Sequence, residues 1–158
     1  MQCASAFTGG IADRSSDRNH RRKKVNLLTL PPMPVAIAIG GQGNGIVDLT
    51  YVPWLANCAA WYWGDLEVEG FEILSRLRIR FPQTRSFLMG DSTLEPLKDS
   101  LTVPGSKRQP PVLPLLTDVE MAAFSLCVAD NLRIEQERIP QAAVIDAISR
   151  LDLTNKSA

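Results

Sequence analysis

The sequence predicts an α/β chain built on an open, mainly parallel sheet flanked by helices, with a helical C-terminus. Three observations carry this. Residues 35–39 and 58–63 are short, uninterrupted apolar runs rich in β-branched or aromatic side chains, the mark of strands buried on both faces. Glycine closes each run. Apolar residues near helical spacing follow, and strand, helix, strand, helix with short turns is the order of βαβ units with right-handed crossovers.

Taken in order, residues 1–24 show neither helical nor strand periodicity and carry Phe7 as their one aromatic, so they read as a disordered basic head. The domain is then expected at 25–151, with 152–158 as a frayed tail. Residues 26–30 form a short apolar turn closed by Pro31, Pro32 and Pro34. The run at 35–39 has the composition of a central strand of a parallel sheet. Gly40, Gly41, Gly43 and Gly45 follow it. Such a turn can cradle a phosphate, but the spacing fits neither the dinucleotide fingerprint nor a Walker A loop, and a tight turn is the expected role. Val47, Leu49, Val52 and Leu55 lie near helical spacing, with Pro53 dividing them into two short pieces.

The strand at 58–63 holds Trp61, Tyr62 and Trp63, whose polar tips need partners when buried. From Glu69, the residues Phe71, Leu74 and Leu77 recur at three-residue steps. Glu67, Glu69 and Glu72 stand at the head of this helix and Arg76, Arg78 and Arg80 at its tail, as its dipole favours, and Pro82 ends it. Glu72 and Arg76 have the spacing of an i,i+4 pair. Residues 85–89 read as a third strand and about 93–100 as a short helix. Prolines 104, 110, 111 and 114 make 103–116 an extended loop. Thr117 and Glu120 form a capping box opening a helix that extends to about Arg138. On it, Arg133 with Glu137 and Glu135 with Arg138 make a charge ladder, or Glu135 or Glu137 faces the acids that follow the second strand. Pro140 opens a last helix whose apolar face is Val144, Ile145 and Ile148.

The formal net charge of zero hides an asymmetry. Residues 1–24 hold six Lys or Arg against two Asp, and the remainder eleven against fifteen acids. The cluster from His20 to Lys24 can meet phosphates, although a solvated tail is the simpler reading. Three cysteines, Cys3, Cys58 and Cys127, are too far apart for a zinc knuckle and odd in number for a disulfide framework, which fits a reducing, cytoplasmic setting. No apolar run reaches the roughly 20 residues of a membrane span, and no secretory leader pattern opens the chain.

Chemistry is expected at Gly64-Asp65-Leu66-Glu67. In an extended segment Asp65 and Glu67 share a face, so the pair makes sense at a strand end. Two carboxylates held together repel unless something positive intervenes, and a hard cation such as Mg2+ is the usual solution. Complementing the dipole of the following helix is the other reading, and spacing alone favours it. Ligand sites of open sheets lie beyond the carboxyl ends of the strands, where Asp65 and Glu67, the glycine turn and Gly90-Asp91 all fall.

The run from Tyr62 to Gly70, with Phe81-Pro82 and residues 85–89 after it, resembles the C-terminal domain of JetD, the DNA-cleaving subunit of the bacterial Wadjet anti-plasmid defence system. Leu28-Thr29-Leu30-Pro31-Pro32, the glycine turn, Pro53-Trp54-Leu55 and residues 135–140 resemble that family in the same order, so the likeness covers about 26–150. It implies a Toprim-like (Rossmannoid) fold related to the topoisomerase VI A subunit, with carboxylates holding magnesium for phosphodiester cleavage. Asp65 and Glu67 match the family's second acidic motif, Glu67 in place of the commoner aspartate. Glu69, which stands where relatives often have histidine, is an accessory candidate together with Glu135 and Glu137. Relatives carry Glu-Asn at the end of the first sheet strand. This chain has Arg22-Lys23-Lys24 at the corresponding place and no acid between Asp17 and Asp48. The expectation is therefore a truncated or rearranged copy whose sheet lacks its first strand, without the DNA-binding domains that precede Toprim in the family.

Three functions follow from these readings. The chain is a Mg2+-dependent DNA endonuclease working through Asp65 and Glu67, with the ion weakly held where the upstream Glu is absent. Alternatively, it is a catalytically inactive remnant, or a DNA or protein interaction module using its basic head. DNA and the other Wadjet subunits are the partners that the resemblance implies.

Overall fold

In the computed structural model of the chain, residues 4–8, 29–33, 36–40, 45, 49, 51–107 and 109–151 are described. The basic cluster at 20–24, most of the glycine turn and the tail at 152–158 lie outside them.

The apolar run ending at Trp63 becomes a strand because its residues are enclosed on both faces. Trp61, Tyr62 and Trp63 are 9%, 0% and 1% exposed. The parallel sheet has four strands, β1 (Ala4–Thr8), β2 (Ala36–Ile39), β3 (Ala59–Trp63) and β4 (Arg85–Ser86), in the order β2-β1-β3-β4. The α/β architecture read from the sequence is present, with one correction at its centre. The sheet does not lack a first strand: Ala4–Thr8, inside the stretch read as a disordered head, pairs with β2 on one side and β3 on the other. Five residues of modest apolarity leave no periodic signal, and two waiting sheet edges, rather than local preference, make them extended. β2 is consequently an edge strand instead of a central one, and its Ile37 is 47% exposed.

The third expected strand is shorter than 85–89. Phe87 N–H still donates to Tyr62 O at 3.1 Å, but Leu88 adopts φ 57° and turns the chain. Met89 is thereby buried, its Sδ accepting the Gly64 N–H at 3.3 Å.

Helix α1 (Val68–Arg80) presents Phe71, Leu74 and Leu77 to the core, each 0% exposed. Burying each contributes about 1.5–3 kcal/mol. α2 spans Asp91–Leu101, a little longer than expected, and α3 spans Asp118–Ala129 behind the expected capping box of Thr117 and Glu120. Phe71 of α1 meets Phe124 of α3 edge-on, with ring centroids 5.9 Å apart. Arg78 does not end in solvent. Its guanidinium grips the buried Glu120 carboxylate with two bonds of 2.6 and 2.8 Å, locking α1 to α3.

α3 stops at Ala129 and does not reach Arg138. Asn131 turns left-handed at φ 45°, and the next residues form β6 (Leu132–Arg133) antiparallel to β5 (Val103–Pro104). Leu132 and Ile134 are 6% and 0% exposed, held by the pairing with Pro104 and the bridge to Leu66. The last helix, α4 (Gln141–Ser149), buries Val144 and Ile148 while Ile145 stays 46% exposed. No helix among the described residues is long and apolar enough to cross a membrane.

Candidate functional site

Strand order fixes where a site can form. The chain passes from β1 outward to β2, while β3 leads outward the other way to β4, so the order reverses between β1 and β3. At such a switch point a crevice opens beyond the carboxyl ends of the strands. Thr8 ends β1 in register with Trp63, and Asp65 lies two residues farther along.

The segment after β3 is fastened from the opposite end of the sequence. Leu66 and Ile134 exchange two backbone hydrogen bonds of 3.0 and 3.1 Å. Beside this bridge the Gln136 N–H donates to Asp65 Oδ1 at 3.0 Å, and Gln136 Nε2 donates to Trp63 O at 2.8 Å. Asp65 is 5% exposed. Its carbonyl oxygen accepts the Glu67 N–H at 2.9 Å and packs against Gly70, where any Cβ would run into it. Glycine is therefore required in the first turn of α1 by a close approach.

Glu67 is the N-cap residue of α1, yet its side chain makes no capping hydrogen bond. Instead the carboxylate, in a residue 4% exposed, has Arg133 Nη1 at 3.9 Å. Arg133 also reaches Glu135 at 3.3 Å, and Glu135 holds Arg138 at 3.2 Å. The structure thus places Asp65 and Glu67 beyond the carboxyl end of β3 and joins Glu135 to Glu67 through Arg133. Glu69 lies half-buried in the first turn of α1. The side chain of Glu137, in the turn Gln136–Arg138, makes no hydrogen bond or ion pair among the described residues. Of the expected ladder only the Glu135 and Arg138 rung is present, because these residues are not on an α-helix.

Gln136 and Arg133 contact the candidate site and were not among the residues expected there. The available signal was a dense polar run around the apolar Ile134, which a buried loop explains as well as a helix does. Tyr62 is a third. Its hydroxyl has no partner among the described residues, and neither do the indole nitrogens of Trp61 and Trp63, contrary to the partners expected for buried tips.

The acid pair colours its surroundings. Burial first, then the charges of Asp65 and Glu67, raises the Tyr62 hydroxyl well above the usual tyrosine value. Burial, with Glu67 adding to it, pushes the Cys127 thiol up to about 12, and this thiol points at Leu66 O from 3.5 Å. A pocket of about 400 Å³ opens beside Glu67, with Cys127, Leu132, Asn131, Ser106 and Lys107 among its walls.

Two hard carboxylates are a fitting donor set for magnesium, which takes one or two protein carboxylates and completes its shell from water and phosphate. Among the described residues no group of three His, Cys, Asp or Glu is arranged to hold a metal, so an ion at this edge would have Asp65 and Glu67 as its protein carboxylates.

A family model described as Wadjet protein JetD, C-terminal, matches residues 23–148, a span that contains Asp65, Glu67 and the 133–138 segment. Comparison with curated proteins gives no match.

Proposed function

The chain belongs to the JetD C-terminal family of the Wadjet anti-plasmid defence system, and from that premise we propose that it engages DNA phosphodiesters at a Toprim-type magnesium site made by Asp65 and Glu67. The observation that carries this is the position of the pair: two buried carboxylates beyond the carboxyl end of β3, at the point where strand order reverses. The ion, when bound, would polarise a phosphoryl oxygen and stabilise the charge developing on it. The chain's own residues do the positioning. Gln136 N–H orients Asp65 by occupying Oδ1, the Leu66 and Ile134 bridge holds the strand end, and Arg133 tempers the charge of Glu67. Other Wadjet subunits are the protein partners this reading implies.

Nicking of supercoiled plasmid with Mg2+ or Mn2+ tests it. The full chain should nick and Asp65→Asn should not; no nicking with either metal overturns cleavage. One observation favours a second reading, a module that binds DNA without cutting it. β1 carries no acidic residue, and the place that the resemblance gives to a Glu-Asn pair is held here by Arg22-Lys23-Lys24. Metal-dependent DNA binding without nicking would support that reading.

A further inference from the structure

The pocket beside Glu67 is walled on one side by the loop at 105–107, and that loop is strapped down. Asn131 holds it twice: its carbonyl accepts the Gly105 N–H at 2.7 Å and its Oδ1 accepts the Lys107 N–H at 3.0 Å. Both Asn131 and Lys107 sit at positive φ, 45° and 53°, two of the three non-glycine residues among those described that do so. Such backbone costs of order 1 kcal/mol or more per residue and persists where its surroundings enforce it, often beside ligands.

The strap holds an uncommitted cation. Arg78, Lys98, Arg133, Arg138 and Arg150 each pair with a carboxylate, whereas Lys107 is exposed and pairs with none among the described residues. The pocket is therefore lined by Lys107 and Ser106 from the loop and by Glu67 from the segment that opens α1. That pattern suits a ligand carrying both signs, a phosphate with its divalent counter-ion. Backbone N–H groups, hydroxyls and lysines are the usual positioning contacts to nucleic-acid phosphates.

We propose that the loop at 105–107 is a DNA phosphate clamp, in which Lys107 and Ser106 take a backbone phosphate of the strand presented to Asp65 and Glu67. This rests on the reading of that acid pair given above. The clamp fixes register on the strand and carries no sequence preference.

Binding of the full chain to a short fluorescent duplex, followed by anisotropy over a salt series, tests the clamp. Lys107→Ala should weaken binding and reduce the slope of log affinity against log salt by about 0.9, the loss of one phosphate contact. Lys98→Ala, which removes a lysine already paired with Asp130, should leave the slope as in the wild type. A wild-type slope in Lys107→Ala, an equal loss in Lys98→Ala, or no duplex binding by the full chain would overturn the clamp. Mn2+ binding measured by calorimetry separates the two readings. It should survive Lys107→Ala and fail in Asp65→Asn, and Mn2+ binding that Asp65→Asn leaves unchanged would overturn the acid pair alone.

Discussion

Neutralising Glu120 should remove a defined, pH-dependent part of the stability. The carboxylate is 2% exposed and accepts from Arg78 at 2.6 and 2.8 Å, from the Thr117 N–H at 2.8 Å and from Ser86 Oγ at 2.5 Å. Burial on its own would raise its pKa, but the bonds from Arg78, Ser86 and Thr117, with the Arg78 charge, outweigh burial and lower it from 4.5 to about 2. A shift of that size at 1.36 kcal/mol per unit corresponds to about 3 kcal/mol. The native state keeps Glu120 ionised to lower pH than the unfolded chain does. The unfolded chain therefore binds the proton first, and this contribution, complete above about pH 5, drains away as pH falls from 4.5 to about 2.

Urea unfolding of the wild type and Glu120→Gln, followed by circular dichroism at several pH values, isolates it, since every other carboxylate is common to both. The stability difference should shrink by about 3 kcal/mol between pH 6 and pH 2. The complementary variant Arg78→Met strands a buried charge and should lose about 3–5 kcal/mol at pH 7. Its loss should lessen as acid protonates Glu120. A wild-type minus Glu120→Gln difference that stays constant with pH, or a loss below about 1 kcal/mol in Arg78→Met, would refute the reasoning.

Gly70→Ala should destabilise although alanine is the better helix former by about 1 kcal/mol, because the new Cβ meets the Asp65 carbonyl; a rise in thermal midpoint would contradict that close approach. Tyr62→Phe removes a buried hydroxyl that has no partner among the described residues, and should raise stability by about 1 kcal/mol or leave it unchanged; a clear loss in urea unfolding would reveal a hydrogen bond there.

Much of the site was legible because its signal is local. Period-two spacing of Asp65 and Glu67 after an aromatic strand puts both at a strand end, and the apolar steps of Phe71, Leu74 and Leu77 with a following proline bound α1 to within a residue or two. The capping box at Thr117 and Glu120 likewise reads directly, since both of its hydrogen bonds close within four residues. Residues 130–138 were illegible for the opposite reason. Their partners are Pro104, Leu66, Asp65 and Glu67, tens of residues away, and nothing in their own spacing distinguishes an α-helical charge ladder from a strand, a bridge and a 3-10 turn.

Propensity, period and capping act over a single turn or strand, so the α/β class, the capping box at Thr117 and Glu120, and the place of Asp65 and Glu67 after a strand were readable locally. Only long-range pairing puts Ala4–Thr8 in the sheet between β2 and β3, which places the reversal of strand order between β1 and β3, beside the strand that leads to Asp65. Tertiary structure also decided that Gln136 orients Asp65 and that Arg78 is spent on Glu120. Sheet edges and buried charges are satisfied by whatever group folding brings within 3 Å, and sequence spacing carries no record of that choice.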